Sequence, residues 1–347
     1  MLTLKEAQEL RLGIKAEEPS TSEDSTSEVS EESITEPTDT ELNTESVPSD
    51  SSDSVPASIP SFDDILDSLP TYITDDPSIS EVFNDKRCPR CHAPLKTTPS
   101  ISGAPSTDWL ECSNSVCNTF VDMYHPMPHQ ASVHRDSHRI IGNFGSYGTG
   151  KTKTSEKEIE KHIFITPNAN ILLGANITSQ YEQTLLRDFE KSFPQAFMES
   201  RSQQKGYIDF INGARLMLRP FDDPDKLRSN NYSLVVMLEA SEINADAFHQ
   251  LKTRLRNTAA TYKNWDWRKL ICESNPDSGW IRTDVLLVSD KITQHGRFAQ
   301  EDYSNQMIKE SIDPNISTHV ASTDVNHYLP ADYSVLLAFR HLRRYIP

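Results

Sequence analysis

The chain has 347 residues, five cysteines and a formal net charge of −17, long enough for two ordinary domains or for one large domain with appendages. All of that charge sits in residues 1–80, which hold 20 Asp/Glu against 3 Lys/Arg, while residues 81–347 balance at zero. The acidity therefore says nothing about the larger part. No apolar run approaches the ~18 residues of a membrane span, and the opening MLTLKEAQELRLGIK lacks the apolar core of a secretory signal. A soluble, cytosolic chain without membrane attachment is expected.

Residues 1–80 read as a disordered acidic region. EEPSTSEDSTSEVSEESITEPTDTELNTESVPSDSSDSVP is Ser, Thr, Pro and acid with isolated hydrophobes, and such a composition cannot bury enough apolar surface to offset the entropy of ordering. Two uses are open to it: a solvated tail, or an arm that docks on a basic partner or occupies a nucleic-acid channel. FDDILDSLPTYI (62–73) spaces its apolar residues as a short docking helix would.

Residues 84–126 read as a small zinc-ribbon-like module. Cys88, Cys91, Cys112 and Cys117 follow the pattern C-x2-C-x20-C-x4-C, and in a cytosolic chain paired short spacings point to tetrahedral zinc rather than to disulfides. Each pair lets two thiolates reach one ion from a tight turn. A segment this short lacks a core of its own, so a structural Zn²⁺ would supply much of its folding energy. Four cysteine ligands leave no open position for catalysis. The wider second spacing keeps His92 and His125 as substitute ligands, whereas Cys272 lies in an apolar stretch and reads as a small buried residue.

Residues 127–347 open with GSYGTGKT (145–152), which fits the phosphate-loop spacing G-x-x-x-x-G-K-[ST]. Its context is the one that spacing requires, with Ile140 and Ile141 as a short strand before it and KTKTSEKEIEKHIFI as a helix after it. Gly145, Gly148 and Gly150 would let the amides of Ser146, Tyr147 and Thr149 crowd round phosphates. Lys151 would reach the β- and γ-phosphates of ATP, and the Thr152 hydroxyl would bind Mg²⁺.

Downstream, NANILLGAN (168–176) reads as a buried strand. TSQYEQTLLRDFEKSFP reads as a helix with Ser179 and Glu182 spaced as a capping box and Tyr181, Leu185, Phe189 and Phe193 on one face. YIDFINGARLMLRPF (207–221) predicts a hairpin about Asn212-Gly213. YSLVVMLEASEI (232–243) predicts a strand from Leu234 to Leu238 that delivers Glu239 to its carboxyl end, where a sheet of this type binds ligands and where a carboxylate can polarise the attacking water. WRKLICESNPDSGW (267–280) predicts another strand ending at Glu273, Ser274, Asn275 and Pro276, with Asn275 either touching the γ-phosphate or forming a plain turn. The alternation predicts an α/β P-loop fold, a mainly parallel sheet flanked by helices.

Taken in order, GSYGTGKT, FINGARLMLRPFDDPDKLRS, LVVMLEASEI, SNPDSGW and ASTDVNHYLPADY resemble the ATPase half of tailed-phage terminase large subunits, over about residues 130–335. The resemblance implies an ATPase that translocates double-stranded DNA into a procapsid. It implies Glu239 as catalytic carboxylate, Asn275 in a coupling element, and Gln130 as the residue that reads adenine. Its implied partners are DNA, a portal protein, a terminase small subunit and further copies in a ring, in the host cytoplasm and transiently at the portal vertex. Three departures accompany it. Leu238 stands where the family has an acid that holds Mg²⁺ through water, so Glu239 takes both tasks, Glu242 moves in, or hydrolysis is weak. The phosphate loop carries no arginine, which leaves Arg201, Arg215, Arg219, Arg228 or a neighbouring subunit to supply one. RHLRRYIP ends about where the family's nuclease domain begins, so a motor without the cutter is expected. The rival readings are a P-loop helicase or repair ATPase, and a nucleotide-binding adaptor with little turnover.

Overall fold

The computed structural model describes residues 85–262, 265–276, 279–296, 303 and 311–330. The acidic region and the 62–73 segment lie outside the described residues. Among the described residues no helix is long and apolar enough to cross a membrane.

The first sheet is small and antiparallel, in the order β1 (Leu95–Pro99), β2 (Pro105–Cys112), β3 (Phe120–Asp122). It precedes helix α1 (Pro128–Arg135). The main chain of the fold then builds a nine-stranded sheet among the described residues. Its strands are β4 (Ile140–Gly145), β5 (Asn170–Ala175), β6 (Met198–Ser202), β7 (Tyr207–Phe210), β8 (Arg215–Pro220) and β9 (Leu234–Met237). After a short pair, β10 (Thr261–Tyr262) with β11 (Trp265–Asp266), come β12 (Lys269–Ser274), β13 (Ser289–His295) and β14 (Asp313–Ala321). The spatial order is β13-β14-β4-β12-β9-β5-β8-β7-β6. Every pairing from β13 to β8 is parallel, and only the two pairings made by β7, with β8 and with β6 at one edge, are antiparallel. This is the mainly parallel α/β sheet expected from the sequence.

Alternation along the strands divides the core into two layers. Ile141, Ile171, Leu173, Leu234, Val236 and Ile271 pack with Ile159 and Ile163 of helix α2 (Lys151–Ile165). Ile140, Leu172, Val235, Met237, Leu270 and Cys272 pack on the other side with Phe248 and Leu251 of a helix at Ala245–Arg254. Cys272 is fully buried, and burial alone pushes its thiol far above its usual range. It is the small core residue its neighbourhood predicted.

The predicted hairpin forms, with Gly213 in the left-handed region at φ 79° and Asp209 opposite Arg215. The predicted helix after β5 also forms, as α3 (Thr178–Tyr181), a π turn (Glu182–Leu186) and α4 (Arg187–Ser192), and it buries Tyr181, Leu185, Phe189 and Phe193. Its amino-terminal cap differs from the predicted Ser179–Glu182 box. The Ile177 N–H donates to Gln180 Oε1 at 3.1 Å, so the helix starts earlier than the Ser179 reading.

Helix α2 carries charge almost all round, yet it is covered on every side. The small sheet packs against one flank. There Lys157, fully buried, sits 2.9 Å from Asp108, 3.2 Å from Asp122 and 2.7 Å from Glu160. Trp109 of β2 donates its Nε1–H to Glu160 at 3.2 Å and inserts its ring among Phe164, Phe193 and Phe197. Burial and the neighbouring Glu160 raise the Glu156 carboxyl to about 7. On the opposite flank Glu158 accepts from His134 Nδ1 of α1 at 2.6 Å and pairs with Lys161 at 3.3 Å. The helix that follows the phosphate loop is thus held by ion pairs from the small sheet and by a hydrogen bond from α1, where burial lowers the His134 pKa, as well as by the sheet behind it.

Candidate active site

The loop Gly145–Thr152 links β4 to α2 at the carboxyl edge of the parallel strands. Gly150, the residue before α2, has φ +85°, and a Cβ there would lie 2.9 Å from Gln130 Nε2. At Gly145 a Cβ would meet Ala321 O at 2.6 Å. Glycine is required at the first position by conformation and at the second by the close approach of β14. Neighbours fix the loop from outside. Thr323 donates to Tyr147 O at 2.9 Å, Asn326 to Gly148 O at 2.5 Å, and a nitrogen of His129 lies 2.8 Å from Thr149 O. Inside, Thr149 Oγ1 donates to Ser146 O at 3.1 Å, and Asn143 of β4 donates to Lys151 O at 3.2 Å.

Lys151 is buried and its ammonium donates to Gly145 O at 2.9 Å, Ser146 O at 3.2 Å and Asn275 Oδ1 at 3.4 Å. Thr152 Oγ1 donates to Glu273 Oε1 at 2.7 Å, and Ser155 Oγ donates to Glu273 Oε2 at 2.7 Å. The two predicted loop residues therefore both reach the end of β12. Glu273 is buried. Burial pushes its carboxyl up, the Thr152 and Ser155 hydroxyls and the Lys151 charge pull it down, and the Glu239 charge pushes it up again. Lys151 and Glu239 accordingly act on the same buried carboxylate.

Glu239 stands just beyond β9, half-buried, with φ 47° and ψ 50°. That left-handed conformation costs a non-glycine residue about 1–3 kcal/mol, and such strain gathers at functional sites. The strand is one residue shorter than predicted, because Leu238 has already entered the turn. Beyond Glu239 the turn is tied to β12: Ser241 N–H donates to Ser274 Oγ at 3.3 Å, and Ser274 Oγ donates to Ser241 Oγ at 2.9 Å. Glu242 is exposed and accepts from Gln180 Nε2 at 2.5 Å, which engages it with α3.

Gln130 is buried with its carboxamide in use, accepting from Met127 N–H at 2.9 Å and donating to Gly150 O at 3.1 Å. It thus braces the loop, and a carboxamide NH₂ has a second hydrogen to offer a base edge. Of the arginines considered, Arg201 pairs with Glu190 at 2.5 Å and Arg215 with Asp209 at 2.5 Å. Arg215 lies at the amino end of β8, away from the loop. Arg219 lies at the carboxyl edge and donates to Lys205 O at 2.7 Å and Gly206 O at 3.1 Å.

The four cysteines converge. Their sulfurs all lie within 4.8 Å of one another, with Cys88–Cys117 at 3.7 Å and Cys91–Cys112 at 3.4 Å. Thiolates at the usual Zn–S distance on a tetrahedron stand about 3.8 Å apart, so the cluster fits zinc. The Ala93 N–H lowers the Cys91 thiol to about 7, while burial raises Cys112 to about 12. The cluster consists of cysteines alone, without His92 or His125.

Sequence reasoning named Glu273 only as a polar strand end and did not single out Asn326, His129 or Ser155. Only Glu273 left a readable sign. In LICES the alternation puts Leu270 and Cys272 on one face and Ile271 and Glu273 on the other, which aims a carboxylate at a buried helix.

A glycine-bearing loop with Lys and Thr that joins β4 to a helix, with β12 beside β4 and β9, which leads into the Glu239 turn, one strand further on, defines a P-loop nucleoside-triphosphate-binding fold. A family model, phage terminase large subunit, matches residues 137–338. The chain belongs to that family. It is similar to the PBSX phage terminase large subunit of Bacillus subtilis (strain 168), with 28% identity over 129 residues, 36% of this chain and 28% of the relative. It thus spans less than a third of that relative's length. Among solved structures it is similar to the large terminase of the thermophilic bacteriophage D6E, at 14% identity and TM-score 0.45 over 61% of this chain and 50% of that one. The large terminase ATPase domain of Thermus phage P74-26 gives 18% identity and TM-score 0.44 over 65% of this chain and 90% of that one.

Proposed function

We propose that this chain is the ATP-hydrolysing part of a motor that drives double-stranded viral DNA into a procapsid. The observation that carries the reading is the convergence of Lys151 and Thr152 with Asn275 and Glu273, beside the strand that presents Glu239. Lys151 now bonds its own loop and Asn275. A triphosphate in the loop would compete for that ammonium and release Asn275, which makes Asn275 the natural reporter of γ-phosphate. Glu239 takes the proton of the attacking water, and the Ser241–Ser274 bridge joins its turn to the reporter strand. Mg²⁺, held from Thr152, would neutralise charge on the β- and γ-phosphate oxygens. Gln130 reads adenine with its remaining amide hydrogen.

We assign residues 1–80 to an acidic region, 84–126 to a zinc ribbon with structural Zn²⁺ on Cys88, Cys91, Cys112 and Cys117, and 127–347 to the motor. The partners are DNA, portal protein, terminase small subunit and further copies in a ring, in the host cytoplasm and at the portal vertex. DNA contact is to phosphates and falls with salt.

The test is ATP hydrolysis by the chain with double-stranded DNA and portal supplied. DNA-stimulated turnover supports the motor. Binding without turnover favours the adaptor, for which Leu238 is the motive, and strand separation on single-stranded DNA favours a helicase. Zinc is checked separately: the purified chain should carry the metal, and Cys88→Ser with Cys112→Ser should lose it. Because β2 is anchored through Trp109, chelation should lower the melting temperature by several degrees rather than unfold the chain.

A further inference from the structure

Continued one residue past its last pairs, Ile271 with Val236 and Cys272 with Met237, the β12–β9 register sets Glu273 beside Leu238. Both then face α2. Leu238 is buried in the same apolar cluster as Ile159 and Ile163, and Glu273 bonds the Thr152 and Ser155 hydroxyls of that helix. The acid missing from the β9 position is thus present on the same rung, one strand nearer the phosphate loop. Glu239 follows that rung in a left-handed turn, where it is read as the catalytic carboxylate, and Glu242 is engaged with Gln180.

We propose that Glu273 is the carboxylate that anchors the Mg²⁺ of the bound nucleotide, together with Thr152, in place of an acid at 238. This rests on the nucleotide-binding reading of the loop. The donor set fits the ion: Mg²⁺ takes hard oxygen ligands and is commonly bound through one or two carboxylates plus the phosphates. The Thr152 hydroxyl that now donates to Glu273 is the one a phosphate loop turns to the metal. A carboxylate bonded to that hydroxyl lies next to the ion, directly or through one of the waters Mg²⁺ keeps. The competing role is a brace that pins α2 to the sheet through two hydroxyls, and it predicts no dependence on metal.

The two roles separate in equilibrium binding of a fluorescent ATP analogue to the full chain, measured with Mg²⁺ and with excess EDTA. Glu273→Gln keeps the shape and an oxygen to accept from Thr152. Its affinity in EDTA should not fall, because a neutral amide repels the phosphates less than a carboxylate, while the gain conferred by Mg²⁺ should shrink by roughly 10–100-fold. Leu238→Asp added to Glu273→Gln should restore part of that gain, since it returns an acid to the same rung. Glu273→Asp, less demanding for folding, should show a smaller loss of the same kind. An undiminished Mg²⁺ gain in Glu273→Gln or Glu273→Asp overturns the assignment, and so does an equal loss in Mg²⁺ and in EDTA. Lys151→Ala separates the two levels. If it binds as the parent does, the nucleotide reading fails, whereas loss of binding in Lys151→Ala with an undiminished Mg²⁺ gain in Glu273→Gln leaves the loop intact and sinks only Glu273.

Discussion

Glu239→Gln is expected to bind nucleotide as the parent chain does and to hydrolyse it roughly 10²–10⁴-fold more slowly, the usual contribution of a positioned general base. The amide keeps the volume and hydrogen-bonding reach of the carboxylate, so the left-handed turn at 239 and the Ser241–Ser274 bridge should persist. What it cannot do is accept a proton. Lys151→Ala, by contrast, should fail at binding, because the ammonium that now serves Gly145 O, Ser146 O and Asn275 is the loop's own positive charge. Single-turnover hydrolysis beside direct binding distinguishes them. A Glu239→Gln chain that still turns over at the parent rate would move the base elsewhere.

Trp109→Ala is expected to cost about 3–5 kcal/mol, the range for truncating a buried aromatic. Trp109 is fully buried, touches Phe164 at 5.1 Å between ring centroids, and supplies a donor to Glu160, which would otherwise sit in a buried cluster one partner short. Trp109→Phe should lose less, since it restores part of the volume but no N–H. The measurement is the midpoint of denaturant unfolding with zinc content held constant. An unchanged midpoint for Trp109→Ala would mean that β2 does not bear on the stability of the nine-stranded sheet and its helices.

The parts of this fold that the sequence announced are those with local chemistry. The loop needs glycines and a lysine at fixed spacing, the hairpin needs Asn-Gly, and β5, β9 and β12 are short apolar runs closed by polar residues. What stayed hidden depends on partners distant in the chain. KTKTSEKEIEKHIFI is rich in charges, yet Lys157, Glu158 and Glu160 are buried, because counter-ions come from Asp108, Asp122 and Lys269 and a hydrogen bond from His134. Asn326 reaches the phosphate loop from a turn nearly two hundred residues on, and no periodicity marks it. The cap of α3 moved because Gln180 could close on Ile177, an alternative that Ser179 and Glu182 masked. Glu273 was named as a polar strand end, but its role follows from Leu238 failing to be acidic beside it, a relation that exists only across the sheet.

The flank of α2 covered by Asp108, Trp109 and Asp122 bears on how the phosphate-loop domain can be handled at the bench. A recombinant piece trimmed to begin at residue 127 would strip the Asp108 and Asp122 carboxylates from a fully enclosed lysine and bare an aromatic patch centred on Phe164, Phe193 and Phe197. Such a piece should precipitate or self-associate where one starting at residue 85 stays monodisperse.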